Sequence, residues 1–108
     1  MKTLKFKHEF VEEILEGRKT TTWRLFDDKD LTVGDELELV DRDSKEKFAE
    51  AIIVDIQEKQ IKNLTDEELK NHGYENSDDM LKSHREYYGD KVNLETEVKM
   101  LTFDFKPL

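Results

Sequence analysis

The sequence predicts one α+β domain, a small, partly open mixed or antiparallel β-barrel flanked by short helices. Three observations lead there. The 108 residues fit a single domain spanning 1–108, and 35% apolar content supplies one modest core. The segments read in the order strand, helix, strand, two paired strands, two helices, strand. The strands are too few, and too readily paired antiparallel, for a doubly wound sheet.

Leu4 and Phe6 alternate with polar neighbours, as in a strand with one buried face. In the next segment Phe10, Val11, Ile14 and Leu15 recur at helical spacing, with acids opposite. Gly17 fits the position after that helix, where a left-handed backbone suits glycine. Lys19 to Leu25 is rich in threonine and holds Trp23, which favours a strand. An acidic loop follows, from Asp27 to Asp30.

Gly34-Asp35 reads as a tight turn feeding a strand over Glu36 to Val40. A longer strand carries Phe48, Ile52, Val54 and Ile56, with Ile53 buried on the other face, and these two strands pair as a hairpin. Thr65 caps a short helix, Glu68 completes its capping box, and Leu64 staples to Leu69. Gly73 ends that helix. Ser77 caps the next, which carries Met80, Leu81, His84 and Tyr88 and closes at Gly89. The last strand runs from about Thr96 to Phe105, with Leu101, Phe103 and Phe105 on one face.

The formal net charge is −9, which argues against a broad, non-specific grip on duplex nucleic acid. The charge is uneven. Residues 1–24 hold six Lys/Arg against four Asp/Glu, whereas residues 25–108 hold twelve against twenty-three. A local positive patch on an acidic body is therefore expected. With no cysteine, disulfides and thiolate metal sites are excluded. No stretch approaches the roughly 20 apolar residues of a membrane span. The first residues also lack the apolar core of a secretory signal, so a cytoplasmic location is the expectation.

The stretch from Ile14 to Arg24 contains Gly17, Lys19, Thr22 and Arg24. Gly-x-Lys at a helix end, then a hydroxyl residue and an Arg on the following strand, resembles the signature of the ASCH domain family. Gly34-Asp35 before an alternating strand, the chain length and the final strand ending in Phe103 and Phe105 match as well. The resemblance implies a PUA-like barrel with a cleft beside the Thr-rich strand, and RNA or nucleotide binding there. The string from Gly17 to Arg24 is also similar to that of small bacterial amidohydrolases that deacetylate N4-acetylcytidine. In that branch a Lys and a Thr at these positions serve catalysis, helped by a downstream Glu. Here His72 stands at the apparent place of that Glu, before Gly73-Tyr74, with Glu75 three residues on.

Thr22 and Arg24, two apart on a strand, share a face, and Thr20 can join them. Lys19 at the helix–strand junction brings an ammonium to the same pocket. For amide hydrolysis Thr22 is the nucleophile and Lys19 its base, with His72 or Glu75 as proton donor. A lysine can do this only with its pKa well below the ordinary value, a shift that burial and Arg24 both favour. For binding alone, Arg18, Lys19 and Arg24 hold phosphate, Thr20 and Thr22 offer hydroxyls, and Tyr74 stacks on a base. Strand parity points Trp23 away from Thr22, into the core.

No cofactor and no metal is expected. His8, His72 and His84 lack zinc-ligand spacing. Asp27, Asp28 and Asp30 lack the glycine and distal Glu of a calcium loop. Three function classes follow: an RNA- or nucleoside-binding domain first, an amidohydrolase acting on N4-acetylcytidine second, and a protein-interaction module with a vestigial site third.

Overall fold

A computed structural model describes residues 1–26 and 29–107. The element order is β1 (Lys2–Phe6), α1 (His8–Leu15), β2 (Thr21–Leu25), β3 (Glu36–Asp41), β4 (Lys47–Gln60), α2 (Asp66–Asn71), α3 (Ser77–Tyr88) and β5 (Glu97–Pro107). The five strands form one sheet in the order β1-β3-β4-β5-β2. β1 pairs with β3 in parallel, because α1 and β2 intervene as a crossover. All other pairings are antiparallel. The sheet curls into a half-barrel, as the sequence predicts, with β1 and β2 as its two edges.

The two faces of β5 separate two cores. Leu101 and Phe103 join Leu4, Phe6, Ile14, Leu37 and Leu39 inside the curl. Val98 packs outward with Trp23, Leu25, Leu69, Met80 and Val92, beneath α2 and α3. Period-2 alternation thus serves both clusters from one strand.

β4 departs from the simple pattern. The sequence expectation grouped Ile52, Val54 and Ile56 on one face. Instead Ala49, Ala51 and Ile53 are buried, and Val54 is 44% exposed. The ladder pairs Ile53 with Phe103 and then Asp55 with Thr102, so Val54 is a bulge. The extra residue resets the parity, and Ile56 returns to the inner cluster.

The helix ends are built as their residues demand. The Thr65 hydroxyl accepts from Glu68 N–H at 3.1 Å, and the Glu68 carboxylate accepts from Thr65 N–H at 3.0 Å. Leu64 and Leu69 are buried in the same cluster, consistent with the staple. The cap of α3 is Asn76 rather than Ser77, since the Asn76 side chain accepts from Asp79 N–H at 2.8 Å. Asn is as strong a cap as Ser and stands one residue earlier. Leu15, expected on the apolar face of α1, is exposed, because the short helix turns only Phe10, Val11 and Ile14 inward. Asp27 and Asp28 of the expected acidic loop lie outside the described residues. Among the described residues no helix is long and apolar enough to cross a membrane.

Candidate functional site

A cleft of about 740 Å³ lies over the seam where the edge strands β1 and β2 approach each other. Two chain reversals shape it. At the end of α1, Gly17 takes φ +79°, Gly17 N–H bonds to Ile14 and Arg18 N–H bonds back to Glu13. Lys19 N–H joins the same Glu13 carbonyl at 3.1 Å, which folds Lys19 back until its Nζ sits 4.7 Å from the Phe10 ring centroid. At the end of α2, Gly73 takes φ +91°, Gly73 N–H bonds to Lys70 and Tyr74 N–H bonds to Leu69. This pattern needs a left-handed residue, which glycine accepts without strain. It aims His72 and Tyr74 at the same cleft.

Seven of the eight sequence-predicted site residues line this cleft: Arg18, Lys19, Thr20, Thr22, Arg24, His72 and Tyr74. Glu75 does not. It is exposed near the end of the α2–α3 connection, just before the Asn76 cap, where its N–H bonds to the Asp79 carboxylate. Glu68 is held by its capping box and by Lys59 at 3.0 Å, away from the cleft. Of the described residues lining the cleft, only Glu13 carries a carboxylate.

Thr22 is 6% exposed and Trp23 8%, on opposite faces of β2 as parity requires. Trp23 packs in the outer core and stacks on His72 with ring centroids 4.0 Å apart and planes within 1°. Arg24 has a job that the sequence did not announce. Its Nη2 donates to the Lys5 carbonyl of β1 at 3.0 Å, and its guanidinium lies 5.0 Å from the Phe6 ring centroid. It therefore bridges the two edges of the half-barrel. Its Nε is buried without a hydrogen-bond partner.

Electrostatics follow from this packing. Burial pushes the Lys19 ammonium below its ordinary pKa. Glu13 opposes the shift and Arg24 adds to it. His72 is pushed down to about 4, first by burial and then by Lys19 and His84. It is thus neutral near pH 7, and the expected proton donor there is an uncharged imidazole. Burial also lowers His84. His84 Nδ1 lies 3.0 Å from the Met80 carbonyl, which can only accept. The proton is therefore on Nδ1, and Nε2 is left as an acceptor at the cleft wall.

Sequence reasoning missed several contributors. Lys5, Lys7 and Arg42 join Arg18, Lys19 and Arg24 as cationic lining. Arg42 donates to the Tyr87 hydroxyl at 3.0 Å and lies 4.7 Å from that ring's centroid. His84, Tyr87 and Tyr88 form an aromatic wall with Tyr74. Their spacing on α3, three and four apart, was the available signal, since it places them on one helix face. Among the described residues no three His, Asp or Glu side chains converge as a metal site needs.

No protein-family model and no curated protein matches the chain. Solved structures do. A DUF984 protein from Enterococcus faecalis V583 superposes with a TM-score of 0.72 at 12% identity, over 93% of this chain and 68% of that one. The ASCH protein from Zymomonas mobilis gives 0.62 at 16% identity, over 97% and 68%. The ASCH domain from Lactobacillus crispatus JV V101 gives 0.62 at 14% identity, over 88% and 69%. At such identities the likeness is one of fold, and this chain shares the α+β fold of these ASCH structures.

Proposed function

We propose that the chain binds a nucleoside or single-stranded RNA in the cleft over the β1–β2 seam. One observation carries the reading: six cationic side chains and a wall of aromatic rings share a cleft on a chain of formal net charge −9. A concave cationic surface concentrates phosphate against an acidic body. Aromatic faces then take bases by stacking, as single-strand binders do. The test is a calorimetric titration with nucleoside monophosphates and short RNAs at 50 and 200 mM salt. Binding weakens with salt, and Lys19→Ala and Arg42→Ala each reduce the slope by about 0.7 per lost phosphate contact. Binding that ignores salt and both substitutions would refute the reading.

A second reading is favoured by the lowered pKa of Lys19 in the same cleft as the buried Thr22. In it the chain hydrolyses the acetyl amide of N4-acetylcytidine. Neutral Lys19 takes the Thr22 proton as Oγ1 attacks the acetyl carbonyl. The C–N bond breaks, the protonated Lys19 returns a proton to the departing amine, and water releases acetate from the acyl-threonine. Backbone N–H groups or the unused Arg24 donors stabilise the oxyanion. Purified protein is expected to release cytidine, and Thr22→Ala and Lys19→Ala each to lower the rate at least 100-fold. Absence of product by chromatography, with the fold intact by circular dichroism, leaves binding as the function.

A further inference from the structure

Beyond the cleft, the rings of α3 continue as an exposed stripe. Arg42 covers Tyr87 at 4.7 Å. Tyr87 meets Tyr88 edge to face at 4.8 Å, and Tyr88 meets Phe26 edge to face at 5.7 Å. Lys91 covers Phe26 at 4.3 Å. The stripe therefore runs cation, ring, ring, ring, cation, and its first three members line the cleft. Tyr87 is 59% exposed and Phe26 43%.

Among the described residues Phe26 is the one bulky apolar side chain on a left-handed backbone. It holds φ +51°, a left-handed backbone that a bulky side chain rarely takes. Strain of this kind clusters where a side chain is presented for use. The rest of the surface bounds the stripe. Glu86 faces a separate hollow with Asp78 and Lys82. On its far side Phe26 borders a hollow of mixed charge, where Asp30, Glu58 and Glu97 face Arg24 and Lys99.

We infer that this stripe is a track for a single-stranded nucleic acid leaving the cleft, with one base in the cleft, a second on Tyr87 and a third on Phe26. The inference rests on the nucleotide-binding reading of the cleft and narrows it: the ligand is a strand, not a free nucleoside. Cations beside exposed rings match a phosphate backbone with splayed bases, whereas a proline-rich peptide needs rings but not charge. Phe26 and Lys91 are the last ring and the last cation of the stripe, so the track ends there.

The experiment measures affinity for oligoribonucleotides of one to six residues by fluorescence anisotropy, with wild type, Phe26→Ala and Lys91→Ala. Affinity is expected to rise roughly fivefold to a hundredfold per added base and to level off at about three. Phe26→Ala and Lys91→Ala erase the gain from the second to the third nucleotide and leave mononucleotide binding unchanged. Mononucleotides that bind as tightly as trinucleotides overturn the track but not the cleft. A rise with length that both variants retain also overturns it. Binding of a proline-rich peptide instead of RNA, lost in Phe26→Ala, assigns the stripe to a protein partner. No binding at any length overturns the cleft reading and the track together.

Discussion

Arg24→Ala is expected to destabilise the protein by about 2 kcal/mol and to lower its melting temperature by about 10 °C. The half-barrel has two free edges, and among the described residues no backbone ladder joins β1 to β2. The Arg24 guanidinium spans that gap, from its own strand to the Lys5 carbonyl at 3.0 Å. A hydrogen bond from a charged group contributes about 1.5–3 kcal/mol. Its position over Phe6 adds about 0.5–1 kcal/mol. Two effects reduce the sum. The Lys5 carbonyl is near solvent and recovers a water when Arg24 is lost, and the unpartnered Nε costs energy that alanine relieves. Arg24→Lys keeps the charge without the planar fork, so it recovers less than half of the loss. Thermal and urea unfolding of the three proteins decide the matter. A melting temperature within about 2 °C of wild type for Arg24→Ala would show that the flanking ladders hold the seam unaided.

That role was invisible in the sequence for a physical reason. Parity placed Arg24 beside Thr22, and both do face the cleft. What parity cannot give is which strand lies across from an edge, because that depends on how far the sheet curls. Local signals carried much further. The capping box at Thr65 and Glu68, the helix ends at Gly17 and Gly73, and the inward face of β5 each follow from neighbours within a few residues. The bulge at Val54 escaped because every residue from Ala51 to Val54 is apolar, so alternation had no polar marker to lose step against. Arg42 escaped because it sits in a polar connection and gains its meaning from Tyr87, 45 residues away. The site was thus legible where one segment carries it, around Lys19 to Arg24, and illegible where α3 and the β3–β4 turn fold over it.

His72 supplies the second large effect, a loss of stability on mild acidification. Its pKa is pushed down to about 4 in the folded chain, against an ordinary value near 6.5 when unfolded. Above pH 6.5 both states hold it neutral and nothing is lost. As pH falls from 6.5 toward 4, the unfolded chain takes up a proton that the folded chain refuses, so stability declines. Below about 4 the folded state protonates too, and the decline from this group stops. The full interval corresponds to about 3 kcal/mol, and partial exposure of the ring reduces the expected effect to about 1–2 kcal/mol by pH 4.5. Every group facing the ring pushes the same way. Lys19 and His84 disfavour a second charge, and Trp23 stacks on the imidazole at 4.0 Å and excludes water from that face. Asp35, Asp41 and Glu68 have lowered pKa values and also cost stability in acid, whereas His8, paired with Asp41, has a raised one and opposes them. A variant comparison removes these shared contributions. His72→Phe keeps a ring under Trp23 and cannot titrate, so its urea midpoint, measured between pH 7.5 and 4.5, is expected to fall less than that of wild type. Parallel curves would mean that His72 titrates in the folded chain as it does in the unfolded one. In that case the imidazole becomes a competent proton donor near neutrality, and the hydrolytic reading of the cleft gains the acid that the neutral ring denies it.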